Sequence, residues 1–515
     1  MRLFISILLL SALWAGGCAA GPPYHPPKIK SPPSYAELNS SVNTNEPVAR
    51  WWNEFHDPEL DHLIEEALRN NFDLQIATMR IRESRYQRNI AAADLFPEAD
   101  ATGSYIRSRG SRNVVLPLGG SSGTGSSGSS SAPKGSGPTP KDSSASSPNE
   151  TDVTPNPLST QPSPFGQGGL PGATTDLYQM GFDASWEIDV FGGKRRQVQA
   201  AAAEVEASAE SRHNMQVSLA AETAQNYLQL RGAQERLQIA RDNLTAQTLV
   251  LTLTRSKRSV GLTSEFDVIR AAAQVSETAS SIPPLEANCR RLIHSLSILI
   301  GKDPDELSAE LDHSKPLPAT PPEVPIGLPS QLLKRRPDIK QAEREIAAAN
   351  ARIGSAQSDL FPKFALVGNA GLDSSSPGNL FNWESRYFLI SPTVTWRIFD
   401  AGRILSNIRL QRANKQEAAL QYRNTILKAL QEVEDALVNY ASEKIRREQL
   451  ADEARQDQRT LDLARQRYDH GLTDFLSVLD AERNLYSAQD ALAISTLSVT
   501  TDLVALYKSL GGGWK

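Results

Sequence analysis

Matching segments recur along this sequence at fixed offsets, and that recurrence limits the folds open to it more than any other feature. Asp94-Leu95-Phe96-Pro97 returns 265 positions later as Asp359-Leu360-Phe361-Pro362. The stretch WEIDVFGGK from Trp186 returns 210 later as WRIFDAGRI from Trp396, and VGLTSEFDVI from Val260 returns 210 later as HGLTDFLSVL from His470. The first copy therefore carries 55 extra residues between its DLFP and its tryptophan. A two-fold internal repeat predicts one pseudo-symmetric body in place of the several domains that 515 residues could otherwise hold.

Each copy runs through the same local signals. Asp57 followed by Pro58 and acidic residues reads as a helix start. A second helix is expected over 73–95, with its twin over 338–360. Pro97 and Pro362 end them, because proline offers no helical donor and forces the preceding residue toward extended backbone. DLFP is thus a helix-to-strand corner used once per repeat. Beyond it, Tyr178, Met180, Phe182, Ala184, Trp186, Ile188 and Val190 alternate with Gln179, Gly181, Asp183, Ser185, Glu187 and Asp189. In the second copy Phe388, Ile390, Val394, Trp396 and Ile398 alternate with Ser391, Thr393, Thr395 and Arg397. A period of two over this length predicts strands with one apolar and one polar face. Such a face fits a soluble core, and strands of about ten residues with aromatic ends equally fit a transmembrane barrel. Each copy offers one hairpin, which cannot close a barrel alone, so several chains must contribute to one. The inserted residues are rich in Ser, Gly and Pro and are expected to form a disordered hairpin loop.

No proline occurs between Gly192 and Gly261 or between Gly402 and Gly471, two spans of 69 positions. Each predicts a helix about 100 Å long, with small seam residues such as Ala220 and Ala224 allowing close approach. Gly261 and Gly471 mark reversals, and return helices follow over about 264–300 and 474–510, the first kinked at Pro283-Pro284.

At the N-terminus Arg2 precedes an apolar run over 3–15 and then Gly16-Gly17-Cys18, which is similar to a bacterial lipobox. Cys18 is then the lipidated first residue of the mature chain, and Ala19 after it favours the outer membrane. No later apolar run approaches 18 residues, so any membrane crossing falls to strands. With Cys18 acylated, Cys289 has no disulfide partner and is expected to pack inside a helix. The net charge of −5 is mild and well mixed, which gives nucleic acid no support as a partner. The seven histidines are scattered and no nucleophile, metal or phosphate-loop motif occurs, so no enzyme activity and no cofactor are expected.

The expected order is a signal peptide (1–17), lipidated N-terminus and tether (18–50), lead-in helices (51–95), first hairpin (96–191) enclosing the loop at about 107–175, and first long and return helices (192–300). An inter-repeat linker (301–336), second lead-in helix (337–360), second hairpin (361–400), second long and return helices (401–510) and a tail (511–515) complete the chain.

These stretches together resemble the outer-membrane factor family, in particular TolC-like efflux lipoproteins of the NodT type. WWNEFHDPELDHLIEEAL from Trp51, GLPSQLLKRRPDIKQAE from Gly327, both DLFP corners and both Gly-Leu-Thr turns carry the likeness. It implies an α+β membrane protein: a homotrimer in which four transmembrane strands from each chain form one β-barrel in outer-membrane lipid, continued by a long antiparallel α-helical tunnel in the periplasm. It also implies a duct without its own energy source, docked to a periplasmic adaptor and a proton-driven inner-membrane pump, exporting small toxic molecules. The family's adaptor-contacting turns map to Val260, Gly261, Leu262 and Thr263 and to Gly471 and Leu472. The family's gate maps to Asp267 and Tyr468, with Thr473 in place of an arginine of some relatives. Asp480 is what remains of a paired acidic motif, here Ser477-Val478-Leu479-Asp480. A duct for type I protein secretion would share these features, whereas a pore-less coiled-coil lipoprotein would leave the alternating hairpins unexplained.

Overall fold

Asp57 starts the first long helix of the chain by accepting the amides of Glu59 and Leu60, with Pro58 in the first turn where its missing N–H costs nothing. This helix, α1 (Pro58–Asn70), buries Leu60, Leu63, Ile64 and Ala67, one stripe at helical spacing. Asn71 then does three jobs. Its amide closes α1 on the Ala67 carbonyl, its side-chain oxygen caps α2 (Phe72–Ala93) through the Leu74 amide, and its Nδ2 donates to the Leu299 carbonyl. The computed structural model describes residues 20–27, 32, 34–35, 42–43, 50–109, 174–321, 324–325 and 328–514. Cys18, the signal segment and nearly all of the Ser/Gly-rich loop lie outside them.

The helices form one compact unit and the four long strands another. In the helical unit follow α3 (Gly193–Ser259), α4 (Glu265–Leu299), α5 (Pro329–Arg335), α6 (Pro337–Ser358), α7 (Arg403–Asp469) and α8 (Phe475–Ser509). The two longest, α3 and α7, each span 67 residues, and their return helices α4 and α8 each span 35. Helix α3 packs on α4, α6, α2 and α8, and α7 packs on α8 and α6. The helical assignment of α4 continues through Pro283-Pro284. Lead-in helices α2 and α6 stop at Ala93 and Ser358, two residues short of the expected 95 and 360, because the chain turns before each corner proline. Among the described residues no helix is long and apolar enough to cross a membrane.

The core gathers Trp51, Trp52 and Phe55 with Leu60, Leu63, Tyr227, Leu228, Leu296, Leu503 and Tyr507. Trp51 stacks on Tyr507 with ring centroids 5.3 Å apart. A polar network sits beside it. Glu59 Oε2 accepts from Arg231 Nη2 and Lys315 Nζ, both at 2.6 Å, and from the Tyr227 hydroxyl at 3.3 Å. Arg231 also donates to Gln234 and to the His313 carbonyl. Burial and the Asp57 bond hold the Tyr227 phenol well above its ordinary pKa, so it remains a donor.

Three segments expected to be plain connections are packed. In the tether, the Tyr24 hydroxyl bonds Glu343, the Pro22 carbonyl accepts from Asn350, and Tyr35 is buried. The linker after α4 buries Leu307 and Leu311, the latter in a helical turn (Ser308–Leu311), before α5 begins. In the tail, glycines 511–513 are buried and Trp514 stacks on His213 at 4.6 Å beneath Lys340. Apolar side chains and aromatic rings drive this packing, and carbonyls such as those of Pro22, Leu311 and His313 find side-chain donors there.

In the strand unit, β1 (Glu98–Arg109), β2 (Thr174–Ile188), β3 (Lys363–Ser374) and β4 (Arg386–Thr395) form one antiparallel sheet in the order β1-β2-β3-β4. The first hairpin ends at Ile188 instead of 191, and its strands reach Arg109 and Thr174, into the range expected for the loop. The two hairpins join edge to edge, with Ile188 opposite Phe364 and Tyr178 opposite Ser374. Successive ladder rows put Ala101, Phe182, Ala370 and Phe388 side by side, then Ala99, Ala184, Gly368 and Ile390, then Trp186, Leu366 and Pro392. This face is apolar and yet open: Phe182 is 69% and Phe388 80% exposed. On the other face Gly181 and Gly371 are paired, and a Cβ on Gly371 would lie 2.5 Å from the Met180 carbonyl and 3.1 Å from the Tyr387 ring. The glycines leave room for Tyr387 to lie across the pair.

Replacing Glu59 by Ala strands the fully buried Arg231 without a carboxylate, which should cost about 3–5 kcal/mol. The check is the urea midpoint of the purified protein, which should fall markedly; an unchanged midpoint would show that the buried Arg231 does not depend on this carboxylate.

Candidate functional site

The long helices end in two turns built alike. At the first, Gly261 takes φ +80°, its amide bonds the Arg258 carbonyl, and the Leu262 amide bonds the Lys257 carbonyl. At the second, Gly471 takes φ +71°, its amide bonds the Tyr468 carbonyl, and the Leu472 amide bonds the Arg467 carbonyl. This pair of bonds is the Schellman ending, which requires a left-handed residue. No atom lies within 4 Å of a Cβ built on either glycine, so the backbone angle and not space selects glycine there.

Each return helix then starts on its own cap, with the chemistry exchanged between the copies. Ser264 caps α4 through the Asp267 amide, and Asp267 answers through the Ser264 amide, Ser264 hydroxyl and Thr263 hydroxyl. In α8 the acid stands first: Asp474 accepts the amide and hydroxyl of Ser477, and Thr473 donates to the Ser477 hydroxyl. The Ser264 hydrogen bond, with help from Thr263 and Arg270, holds the Asp267 carboxyl below its usual value.

The sequence-derived residues fall into two groups. Val260, Leu262 and Leu472 project outward, 69%, 77% and 67% exposed, beside Phe266 and Ile269, which sequence reasoning missed. Asp267 and Tyr468 are not joined within the chain. Asp267 is taken up by its cap, whereas Tyr468 packs on Phe475 at 5.4 Å and receives Lys257 over its ring at 4.2 Å. Lys257 also lies 3.5 Å from Asp469, so this lysine ties the first turn to the second. A basic residue in the last turn of α3 was the available signal, but its partner on another helix was not readable. Asp480 is half exposed and lies 3.9 Å from Arg483. Behind the turns, Leu251, Ala271, Leu461, Phe475, Val478 and Leu485 form a second core that packs the helix pairs together. Cys289 is buried inside α4, and burial pushes its thiol pKa up, as suits a packing residue.

This arrangement of long helices, capped turns and an open sheet has close counterparts. The family model of the outer membrane efflux proteins matches residues 63–138, 141–302 and 328–512. The chain is 32% identical to the probable efflux pump outer membrane protein TtgC of Pseudomonas putida, over 98% of this chain and 95% of that protein. It is 28% identical to the cation efflux system protein CusC of Escherichia coli, over 98% and 97%. Among solved structures the outer-membrane channel OprN matches with a TM-score of 0.80 at 32% identity, covering 96% of this chain and 100% of that one. The open-state MtrE channel of Neisseria gonorrhoeae matches with a TM-score of 0.74 at 26% identity, covering 97% and 99%. The chain belongs to the outer membrane efflux protein family, a family of transport proteins. It is an efflux channel protein of the outer membrane.

Two outcomes follow for the turns. Gly471→Ala should loosen the turn by about 1 kcal/mol, read as faster amide exchange at Leu472, and Gly471→Asn should do so less. Because the Asp267 pKa is lowered on folding, its cap contributes fully above the unfolded carboxylate value and is lost as pH falls through the folded value. The protection of the amides in the first turn of α4, meaning the base-catalysed intrinsic exchange rate divided by the observed rate, should therefore fall on acidification in the unaltered protein, an effect that Asp267→Asn abolishes.

Proposed function

We propose that the chain is the outer-membrane duct of a tripartite efflux system and works as a homotrimer. The observation that carries this reading is the sheet: among the described residues β1 and β4 each keep one edge without a partner strand, beside a broad exposed apolar face. In lipid such edges demand closure, and further copies of the same sheet provide it. Two exposed helical stripes support the same assembly. On α2, Phe72, Ile76, Met79, Tyr86 and Ile90 stand outward at heptad spacing, and on α7, Leu410, Ala413, Leu420 and Leu427 do so. Stripes with this period seek another helix.

In this reading the strands cross the membrane, Cys18 carries lipid, and the helices line a periplasmic tunnel. The turns at Val260, Gly261, Leu262, Thr263, Gly471 and Leu472 meet a periplasmic adaptor, their exposed aliphatic side chains supplying the contact. A proton-driven inner-membrane pump supplies the energy. Asp480, repeated around the axis, favours cations. Asp267, Tyr468 and Thr473 belong to the resting gate, with Lys257 positioning Tyr468 through its ring. The cargo is a small toxic molecule: relatives at 32% identity are named for antibiotic and toluene efflux.

The test is single-channel recording in planar bilayers, with oligomer mass measured in detergent. A trimer with small cation-selective openings is expected, with selectivity reduced in Asp480→Asn and conductance raised in Asp267→Ala/Tyr468→Phe. A monomer that never conducts would overturn the duct. Unchanged conductance in the double variant would remove Asp267 and Tyr468 from the gate.

A further inference from the structure

The ladder register also places charge on the apolar face of the sheet, and only at one end. The strand residues that share this face run from Ile188, Phe364 and Val394 through the Phe182 row to the row of Gly103, Met180, Leu372 and Arg386. Beyond it come Tyr105 beside Tyr178, then Arg107 beside Asp176, then Arg109 beside Thr174. Arg107, Arg109 and Arg386 are exposed and stand on the same side as the apolar band, at the end where the hairpin loops lie. The opposite end of that face, where the strands connect to helices, continues as Val190 and Trp396 and carries no arginine.

The arginines are set among aromatic rings. The guanidinium of Arg386 lies 3.7 Å from the centroid of the Trp383 ring, and Trp383 and Phe381 are each 75% exposed. Tyr105 and Tyr178 are 4.8 Å apart, and the Tyr105 hydroxyl donates to Asp176 at 2.8 Å. Asp176 is the one acid on these strand rows, 3.6 Å from Arg107, and Glu384 lies in the adjoining loop. No carboxylate among the described residues pairs with Arg386 or Arg109, so cationic charge exceeds anionic charge there. Aromatic rings at a membrane interface sit at headgroup depth, and an arginine fork there meets phosphate with two parallel hydrogen bonds.

We propose that this end of the sheet is a binding site for the phosphate headgroup of a lipid in the loop-side leaflet of the outer membrane. The proposal rests on the barrel reading. In that reading the apolar face meets lipid, and Arg107 and Arg109 on one open edge share a seam with Arg386 on the other. A phosphorylated lipid fits because its acyl chains match the apolar rows and its anion matches the arginines above them, whereas free phosphate matches only the latter.

The test compares the full-length trimer with the variant Arg107→Gln/Arg109→Gln/Arg386→Gln. Both are exposed to phosphate-free maltoside detergent micelles containing bis-phosphorylated lipid A, its dephosphorylated form, or inorganic phosphate alone. Retained lipid is counted by native mass spectrometry, and binding is followed by Trp383 fluorescence. The site predicts retention of the phosphorylated lipid by the unaltered protein and about tenfold weaker binding in the variant, with trimer mass and conductance unchanged. Equal retention by the variant, equal retention of the dephosphorylated lipid, or an equal fluorescence response to inorganic phosphate would overturn the lipid site alone. Failure of the unaltered protein to form a trimer would overturn the barrel reading and the site with it.

Discussion

Every backbone N–H and C=O of a membrane-embedded strand needs a partner, and a sheet of four strands leaves two edges without one. That shortfall shapes the rest of the protein. Among the described residues its outer strands end in open ladders, and its apolar face turns large side chains such as Phe388 outward instead of into a core. A soluble sheet would hide that face against helices.

The helical unit answers a different demand, that of length. A helix of 67 residues with no single wide apolar face cannot be held by a compact core, so its stability is distributed. One core lies around Trp51 and Tyr507, braced by the buried Glu59–Arg231 pair, and a smaller one lies near the turns around Phe475. The buried arginine is better read as fixing a register between α1, α3 and the following linker than as adding stability over an apolar alternative. At the turns themselves local chemistry adds to this smaller core: a left-handed glycine closes one helix and a hydroxyl–carboxylate cap opens the next.

Much of this was legible beforehand for a physical reason. Helix ends are set by residues with narrow backbone preferences, so Gly261, Gly471, Ser264 and Asp474 located the reversals and the starts of the return helices to within a residue. Strand faces were legible because a period of two admits only one division into sides. What escaped depends on contacts between distant segments. The joining of β2 to β3, the seating of Tyr24 on Glu343, the burial of the terminal glycines and the Lys257–Tyr468 contact each involve partners that no local pattern links. Asp267 and Tyr468, paired by resemblance, serve separate local structures within the chain. Cys18 lies outside the described residues, so its lipidation stands on the sequence motif.

In the proposed trimer the open edges of the sheet are closed by further copies of the same sheet. Within one chain β1 and β4 are three strand spacings apart, about 14 Å, too far for a disulfide. A set of variants with one cysteine along β1 and one along β4, oxidised in detergent and separated by mass, tests the claim most directly. A closed trimer requires that at least one pair yields covalent species that stop at three chains. Cysteine pairs that give only single chains, or a ladder that grows past three, would contradict it.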